Sequence, residues 1–166
     1  KSPVGVEAVR RLIATADAPV VQRLRSAGAV IAAKTNMSEF AFSGVGANPH
    51  YGTPGNPFDR TRAPSGSTSG GAVAVADGMC EIAIGTDTGG STRIPAALCG
   101  LVGWKPSQRR VPTDGAFPLS FTLDSIGPMA MSVADCAATD AVMAGEPPFS
   151  LDLAPLAGLK LGIWQG

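Results

Sequence analysis

Apolar segments alternate with turn-forming segments along the chain, and this alternation predicts helices and strands that follow one another. In the segment 17–28, Asp17 as N-cap, Pro19 in the first turn and Gly28 as a stop together predict a helix. The run "AVIAA" at 29–33 predicts a short buried strand directly after it.

The middle of the chain continues the alternation with smaller residues. The segments "GGAVAVADG" (70–78) and "IPAALCG" (94–100) predict short helices. Between and after them, "EIAIG" (81–85) and "LVGWKP" (101–106) predict strands.

The last third of the chain predicts one more helix and one more strand. The helix is expected at 132–145, with Ser132 as its N-cap and Gly145 at its end, and the strand at 159–165. Helices and strands spaced in this way predict an α/β fold in which helices cover a mixed, partly parallel sheet.

Composition places the chain among globular enzymes rather than disordered, membrane or nucleic-acid-binding proteins. Its 166 residues are enough for one domain, and 45% hydrophobic with 16% charged residues is not the composition of a disordered segment. The formal net charge is zero, which argues against nucleic acid or an anionic membrane as a partner. The three cysteines form no CxxC pair, so no metal site is expected. The first residues contain no hydrophobic signal region, so we expect a cytoplasmic location.

The segment "GTDTGGS" at 85–91 holds the first candidate for chemistry. Gly89 and Gly90 allow successive backbone N–H groups to converge, and such a nest binds anions. With the Ser91 hydroxyl beside it, the nest could hold the oxyanion of an acyl-transfer reaction. From the local residues alone, a polar structural turn is the simpler interpretation. His50 is the one histidine in the sequence, so the usual base for a serine nucleophile is scarce.

A second cluster of glycine and serine, "PSGSTSGGA" at 64–72, ends a turn-rich stretch that spans 43–69. Stretches of this length without secondary structure are uncommon in compact domains unless they are functional. The cluster lacks the GxxxxGK[ST] pattern of a phosphate loop and the G-x-S-x-G pattern of a nucleophile elbow. A flexible loop therefore remains the alternative to a catalytic one.

The two clusters and the residues around them resemble the amidase signature family. The similar segments are "GSTSGGAVAVADG", "AIGTDTGGSTRIPAALCGLVGWKP" and "LDSIGPMAMSVADC", preceded by "RLRSAGAVIAAKTNMSEFAFSG" and "NPHYGTPGNP". The resemblance implies that residues 1–166 are the central part of a single catalytic domain with the amidase signature fold, incomplete at both ends. It further implies a hydrolase of carboxamide C–N bonds with no cofactor and a small-molecule amide as substrate, and it leaves room for a homodimer.

The family's Ser–cis-Ser–Lys triad carries over to this chain in part. By position, Ser91 matches the nucleophile that forms the acyl-enzyme, and Ser67 matches the bridging serine on a cis peptide. Thr88, Gly89 and Gly90 match the family's oxyanion loop. Because the bridging hydroxyl relays the proton, such a site works without histidine.

The catalytic lysine is the point at which this sequence departs from the family. The family's lysine stands in a Lys-Asp pair well upstream of the first serine cluster, and no Lys-Asp pair occurs here. Lys34 matches a different lysine, which we interpret as structural. We therefore expect the catalytic lysine to lie outside this chain, and the 166 residues alone to be inactive or nearly so.

Several neighbouring residues have a structural and a functional interpretation. Arg93 could brace the loop by pairing with Asp87, or bind a substrate carboxylate. Ser43 could line the substrate pocket or serve a turn. We expect His50 to be a loop residue and the arginines at 109–110 to lie on a solvated loop.

Three classes of function remain after this reading. The first is an amidase, with the glutaminase-type subunit of a tRNA-dependent amidotransferase as its rival within the same fold. The second is a catalytically inactive, truncated remnant. The third, a nucleotide-binding module, is disfavoured because the lysine and acidic partners of a phosphate site are missing.

Overall fold

A computed structural model of the chain describes residues 14–147, 151, 155–160 and 162. At its centre lies a three-stranded sheet formed by β1 (Ile82–Asp87), β2 (Val102–Gly103) and β3 (Ser125–Ala130). The strand order is β1–β3–β2, and β3 pairs antiparallel with both neighbours. The two outer strands therefore run in the same direction.

The described residues also form four α-helices and one short 3₁₀ turn (Glu39–Ala41). The helices are α1 (Pro19–Ser26), α2 (Ser69–Ala76), α3 (Arg93–Leu98) and α4 (Val133–Ala144). Helices and strands are interspersed along the chain and the helices pack on the sheet, which confirms the predicted α/β class. Both pairs among the described strands are antiparallel, so the parallel pairing expected for the sheet is not seen there. No helix in the described part of the chain is long and apolar enough to cross a membrane.

Strand periodicity separates the core into two clusters, one on each face of the sheet. Ala83 of β1 and Met129 of β3 lie opposite each other and pack against helices α2 and α3. Ile126 of β3 points to the other face and packs against α1 and α4 with Val20 and Met143. Helices thus cover both faces, and the site described below lies at the end of β1.

The helix ends confirm one predicted cap and correct another. Ser132 caps α4 by accepting a hydrogen bond of 3.1 Å from the Asp135 amide, and Gly145 ends the helix with φ of +80°. The predicted cap of α1 is wrong, because Ala18 occupies that position and no side chain caps the helix. Asp17 instead pairs with Arg25 at 2.9 Å.

The strand predictions were correct for β1 and β2, wrong for 29–33, and did not include β3. The segment 29–33 forms no strand, since no described strand lies beside it and Val30 is 90% exposed. The central strand β3 was not predicted, and it contains Pro128, a residue that sequence rules keep out of central strands. The strand expected at 159–165 lies largely outside the described residues.

Candidate active site

The two serine clusters of the sequence meet at one end of β1. The Thr68 amide donates a hydrogen bond of 3.1 Å to the Ser91 carbonyl, which joins the loop before α2 to the loop before α3. Gly85 of β1 lies beneath this contact. A Cβ at Gly85 would stand 2.5 Å from Thr68 Oγ1 and 2.9 Å from Thr92 Oγ1. The missing side chain therefore permits the two loops to approach each other.

Asp87, the last residue of β1, organises the loop that carries Ser91. Its fully buried carboxylate accepts hydrogen bonds from the amides of Gly90 (2.8 Å), Thr92 (3.2 Å) and Arg93 (3.2 Å). The Arg93 guanidinium adds two more bonds, from Nε and from one terminal nitrogen, each of 3.0 Å. Burial raises the pKa of Asp87, but the hydrogen bonds from Arg93 and Thr92 outweigh it, so the pKa lies below its ordinary value.

Arg93 and Gly90 both donate hydrogen bonds to Asp87, which bears on the roles predicted for them. The bracing interaction predicted for Arg93 is present, whereas substrate binding by Arg93 stays a prediction. Because the Gly90 amide is engaged by Asp87, it is not free to bind an oxyanion in this arrangement. The amides of Thr88, Gly89 and Ser91 have no acceptor among the residues that the structure describes. That Thr88, Gly89 and Gly90 form an oxyanion hole stays a prediction.

Ser67 is fully buried, and its hydroxyl has no hydrogen-bond partner within the described part of the chain. The Gly66–Ser67 peptide bond is cis. The main chain around Ser67 is held instead: the Ser67 carbonyl accepts from the Ser38 amide at 2.9 Å, and the Gly66 amide donates to the Gly44 carbonyl at 2.8 Å. Hydrogen bonds of the main chain, and not of the Ser67 hydroxyl, thus hold this loop in the described part of the chain.

The segment 36–46 forms the cradle that holds the Ser67 loop. Besides the two bonds already named, the Gly70 amide donates to the Asn36 carbonyl at 2.9 Å, and the Ser65 hydroxyl donates to the Gly44 carbonyl. A Cβ at Gly66 would lie 2.7 Å from the Gly46 main chain, so the two segments are in direct backbone contact.

The remaining predicted residues lie in segments without helix or strand structure. The Ser43 hydroxyl accepts from the Val45 amide at 3.1 Å within its own turn, and its role in substrate binding stays a prediction. His50 pairs with Glu39 at 3.0 Å, as expected for a loop residue. Lys34 is exposed, and no lysine among the described residues hydrogen-bonds to the Ser67 hydroxyl.

Two polar residues that sequence reasoning missed tie distant loops together. Asp124 accepts a hydrogen bond from the Thr88 hydroxyl across 36 positions of sequence. Arg110, expected to be solvated, is about two-thirds buried and pairs with Asp140 and Glu146 of the α4 region, each at 2.7 Å. Neither contact has a local sequence signal, because each joins segments that are far apart in the chain.

The surroundings offer a cavity and no metal centre. A cavity of about 500 Å³ borders the site region, with Thr86 and Asp124 in its wall beside residues of the 108–121 loop. Among the described residues, no group of three or more His, Cys, Asp or Glu side chains could hold a metal ion.

Known proteins that resemble this chain share one family. The Amidase family model matches residues 1–160. A glutamyl-tRNA(Gln) amidotransferase subunit from Chromohalobacter salexigens is 42% identical, with 98% of this chain and 36% of that protein covered. An indoleacetamide hydrolase from Pseudomonas savastanoi is 38% identical, with 97% and 36% covered. The chain thus spans about a third of the length of these relatives.

Solved structures agree with the sequence comparison. A glutamyl-tRNA(Gln) amidotransferase subunit from Thermotoga maritima superposes with a TM-score of 0.78 at 39% identity, over 80% of this chain and 29% of that one. The peptide amidase of Stenotrophomonas maltophilia superposes with a TM-score of 0.75 at 48% identity, over 79% and 28%. Both the fold and the sequence relationship lead to the same conclusion: this chain belongs to the amidase family, and its fold is the amidase signature fold.

Proposed function

We propose that this chain forms the catalytic centre of an amidase that hydrolyses carboxamide C–N bonds through an acyl-enzyme on Ser91. The observation that carries the proposal is the pairing of a buried, uncommitted Ser67 hydroxyl with the Thr68–Ser91 contact one residue away. Buried polar groups are normally hydrogen-bonded, and an unpartnered one calls for an explanation such as a catalytic role.

In the first half of the proposed reaction, the Ser91 hydroxyl oxygen attacks the carbonyl carbon of the amide. Its proton passes to the Ser67 oxygen, while Ser67 gives its own proton to a lysine amine. The carbonyl π electrons move to the oxygen, which the amides of Thr88, Gly89 and Ser91 would hold.

In the second half, the tetrahedral intermediate collapses and the C–N bond breaks. The leaving nitrogen takes the proton back through Ser67 and departs as ammonia or an amine. Water then attacks the Ser91 ester, loses its proton along the same relay, and releases the carboxylic acid while Ser91 regains its proton.

The terminal base of this relay is proposed to come from outside the 166 residues. Its lysine must be unprotonated to accept a proton, so its pKa has to be lowered by burial or by neighbouring charges. The 166-residue chain alone is accordingly expected to be inactive or nearly so.

Labelling with a fluorophosphonate serine probe tests the proposal. The full-length protein containing this chain should be labelled, the Ser91→Ala variant should not, and Ser107→Ala, which alters an exposed serine, serves as the matched control. Labelling that persists in Ser91→Ala, or a full-length protein that is never labelled, would contradict it.

A second candidate with the same chemistry is a glutaminase-type subunit that frees ammonia for an amidotransferase. The 42% identity to a glutamyl-tRNA(Gln) amidotransferase subunit supports it, while the 48% identity to a peptide amidase supports the first candidate. Ammonia release from L-glutamine, compared with release from simple carboxamides, distinguishes the two. In both cases the proposed substrate is a small molecule in the cytoplasm, and homodimer formation stays a prediction.

A further inference from the structure

Asp124 is a charged residue outside the Ser91 loop that is hydrogen-bonded to it. It lies directly before β3, and one carboxylate oxygen accepts the hydroxyl of Thr88. The other oxygen accepts the amides of Leu119 (2.8 Å) and Ser120 (2.9 Å). The carboxylate is therefore itself oriented by its own loop before it meets Thr88.

Besides the Thr68–Ser91 contact, side-chain carboxylates hold the Ser91 loop at two points, and only one of them belongs to the Asp87 network. Asp87 binds the part from Gly90 onward. Thr88, at the beginning of the loop, is held by its side chain through Asp124. Between the two anchors stands Gly89, which is exposed and has no atom within 4 Å of the position of a Cβ. The amide at 88 shares a peptide plane with the Asp87 carbonyl, which accepts the Ser125 hydroxyl at 3.0 Å. Glycine has wide conformational freedom, so the direction of the next amide, at 89, depends on the anchor at Thr88.

We propose that Asp124 is a positioning residue of the oxyanion hole, which acts by holding Thr88 through its hydroxyl so that the amide at 89, next to the amide at 88, points toward the developing negative charge. The inference rests on the proposed function, and it assigns a role to a residue that lies in the family-like segment "LDSIGPMAMSVADC" but was given no role by the sequence. Asp124 does not touch the reacting atoms.

The chemistry favours an ionised carboxylate in this position. Burial raises the pKa of Asp124, but the hydrogen bonds from Thr88, Ser120 and Leu119 outweigh it, so the pKa lies below its ordinary value. A charged acceptor makes a stronger hydrogen bond than a neutral one, and preorganised donors stabilise the transition state more than the bound substrate. Loss of the anchor should consequently affect kcat and leave KM nearly unchanged.

The test compares isosteric variants in the full-length protein with a carboxamide substrate. Asp124→Asn and Thr88→Val should each lower kcat about 10- to 100-fold, with KM within about twofold of wild type. Thr88→Ser keeps the hydroxyl and should retain most of the activity. The double variant Asp124→Asn/Thr88→Val should be no slower than the slower single variant, because both changes act on the same Thr88–Asp124 hydrogen bond: valine lacks the donor, and asparagine has a single acceptor oxygen where the carboxylate has two.

The affinity of a transition-state analogue distinguishes positioning of the oxyanion hole from a purely structural role, because a purely structural role would leave this affinity unchanged. The affinity of an aldehyde inhibitor, which forms an oxyanion on Ser91, should fall in parallel with kcat, whereas the affinity of the carboxylic acid product should not. Asp59→Asn is the matched control, since Asp59 also accepts a threonine hydroxyl (Thr61, 2.6 Å) and its amide (3.0 Å), in a separate loop. It should leave kcat unchanged.

The outcomes separate this inference from the proposed function. If wild type shows no hydrolysis that depends on Ser91, the function itself is wrong and the inference falls with it. If wild type hydrolyses the amide and folded Asp124→Asn and Thr88→Val keep wild-type kcat, or lose activity only through KM, the positioning role alone is overturned. A thermal unfolding curve of each variant establishes that it is folded.

Discussion

The Thr68 amide donates a hydrogen bond to the Ser91 carbonyl at 3.1 Å. This bond brings together two short loops, each of which leads into a helix on the same face of the sheet. It uses the main chain of both loops, so the hydroxyls of Ser67 and Ser91 take no part in it. The contact is thus an attachment point that leaves both candidate catalytic groups available.

Replacing Ser67 by alanine should separate catalysis from stability. The hydroxyl makes no hydrogen bond with the described residues, so its removal should leave Tm unchanged or slightly higher, because a buried unsatisfied group is lost. The relay would lose its bridge, and kcat should fall at least about 100-fold. Steady-state kinetics and thermal unfolding of the full-length variant check both parts. A drop in Tm with unchanged kcat per folded molecule would assign Ser67 a structural role instead.

Gly85→Ala should push apart the two loops that the Thr68–Ser91 hydrogen bond joins. The new methyl group would stand 2.5 Å from Thr68 Oγ1 and 2.9 Å from Thr92 Oγ1, both on loops that carry the site. We expect a loss of about 1–3 kcal/mol in the free energy of unfolding, together with a clear loss of activity. Gly44→Ala, which has no atom within 4 Å of the added Cβ, is the control and should be close to wild type. Equal effects of the two substitutions would argue against the crowding described here.

Arg93→Ala should destabilise the protein through its buried partner. Asp87 is fully buried, and it would keep its amide bonds while losing two bonds to the guanidinium. We expect a cost of about 1–3 kcal/mol, measured by chemical denaturation. Arg25→Ala breaks an exposed pair with Asp17 and should cost less than about 1 kcal/mol. If Arg93→Ala changed only KM for a carboxylate-bearing substrate, the alternative role in substrate binding would be favoured.

The contribution of Asp87 to stability should disappear in acid. Its pKa is lowered in the folded protein, so the ionised carboxylate stabilises the fold above the unfolded pKa of about 3.9. As the pH falls through the lower folded pKa, the carboxylate is protonated and the contribution is lost. The Tm difference between wild type and Asp87→Asn should therefore be full at pH 7 and shrink at about pH 3 and below. A gap of the same size at both pH values would contradict the assignment.

Local sequence signals predicted the elements whose ends are marked in the chain. Helix α4 begins after Ser132 and ends at Gly145, as its capping residues indicated. Strand β3 escaped prediction because its "IGPMA" pattern shows no alternation and contains Pro128, although every residue of the strand is buried. At 29–33 the error is the reverse, because a strand was predicted and none forms. A strand needs a paired neighbour, and the described residues place none beside this segment.

The residues of the candidate site likewise separate into those with a local sequence signal and those without one. Ser67 and Ser91 could be selected from their glycine-rich surroundings and from the family resemblance. The partners that hold them could not, because Ser38, Asp124 and the Gly44 carbonyl reach the two loops only through tertiary contacts. The pairing of Arg93 with Asp87 could be predicted from the sequence, since the two residues are six positions apart across one short loop.

The cradle at 36–46 secures the Ser67 loop chiefly by main-chain hydrogen bonds, which form whatever side chain stands at position 67. The backbone position of this loop therefore does not depend on the chemical group of the side chain at position 67. A cysteine or a smaller residue at position 67 should occupy the same buried position. The group that relays the proton could therefore be exchanged there without redesign of the surrounding domain.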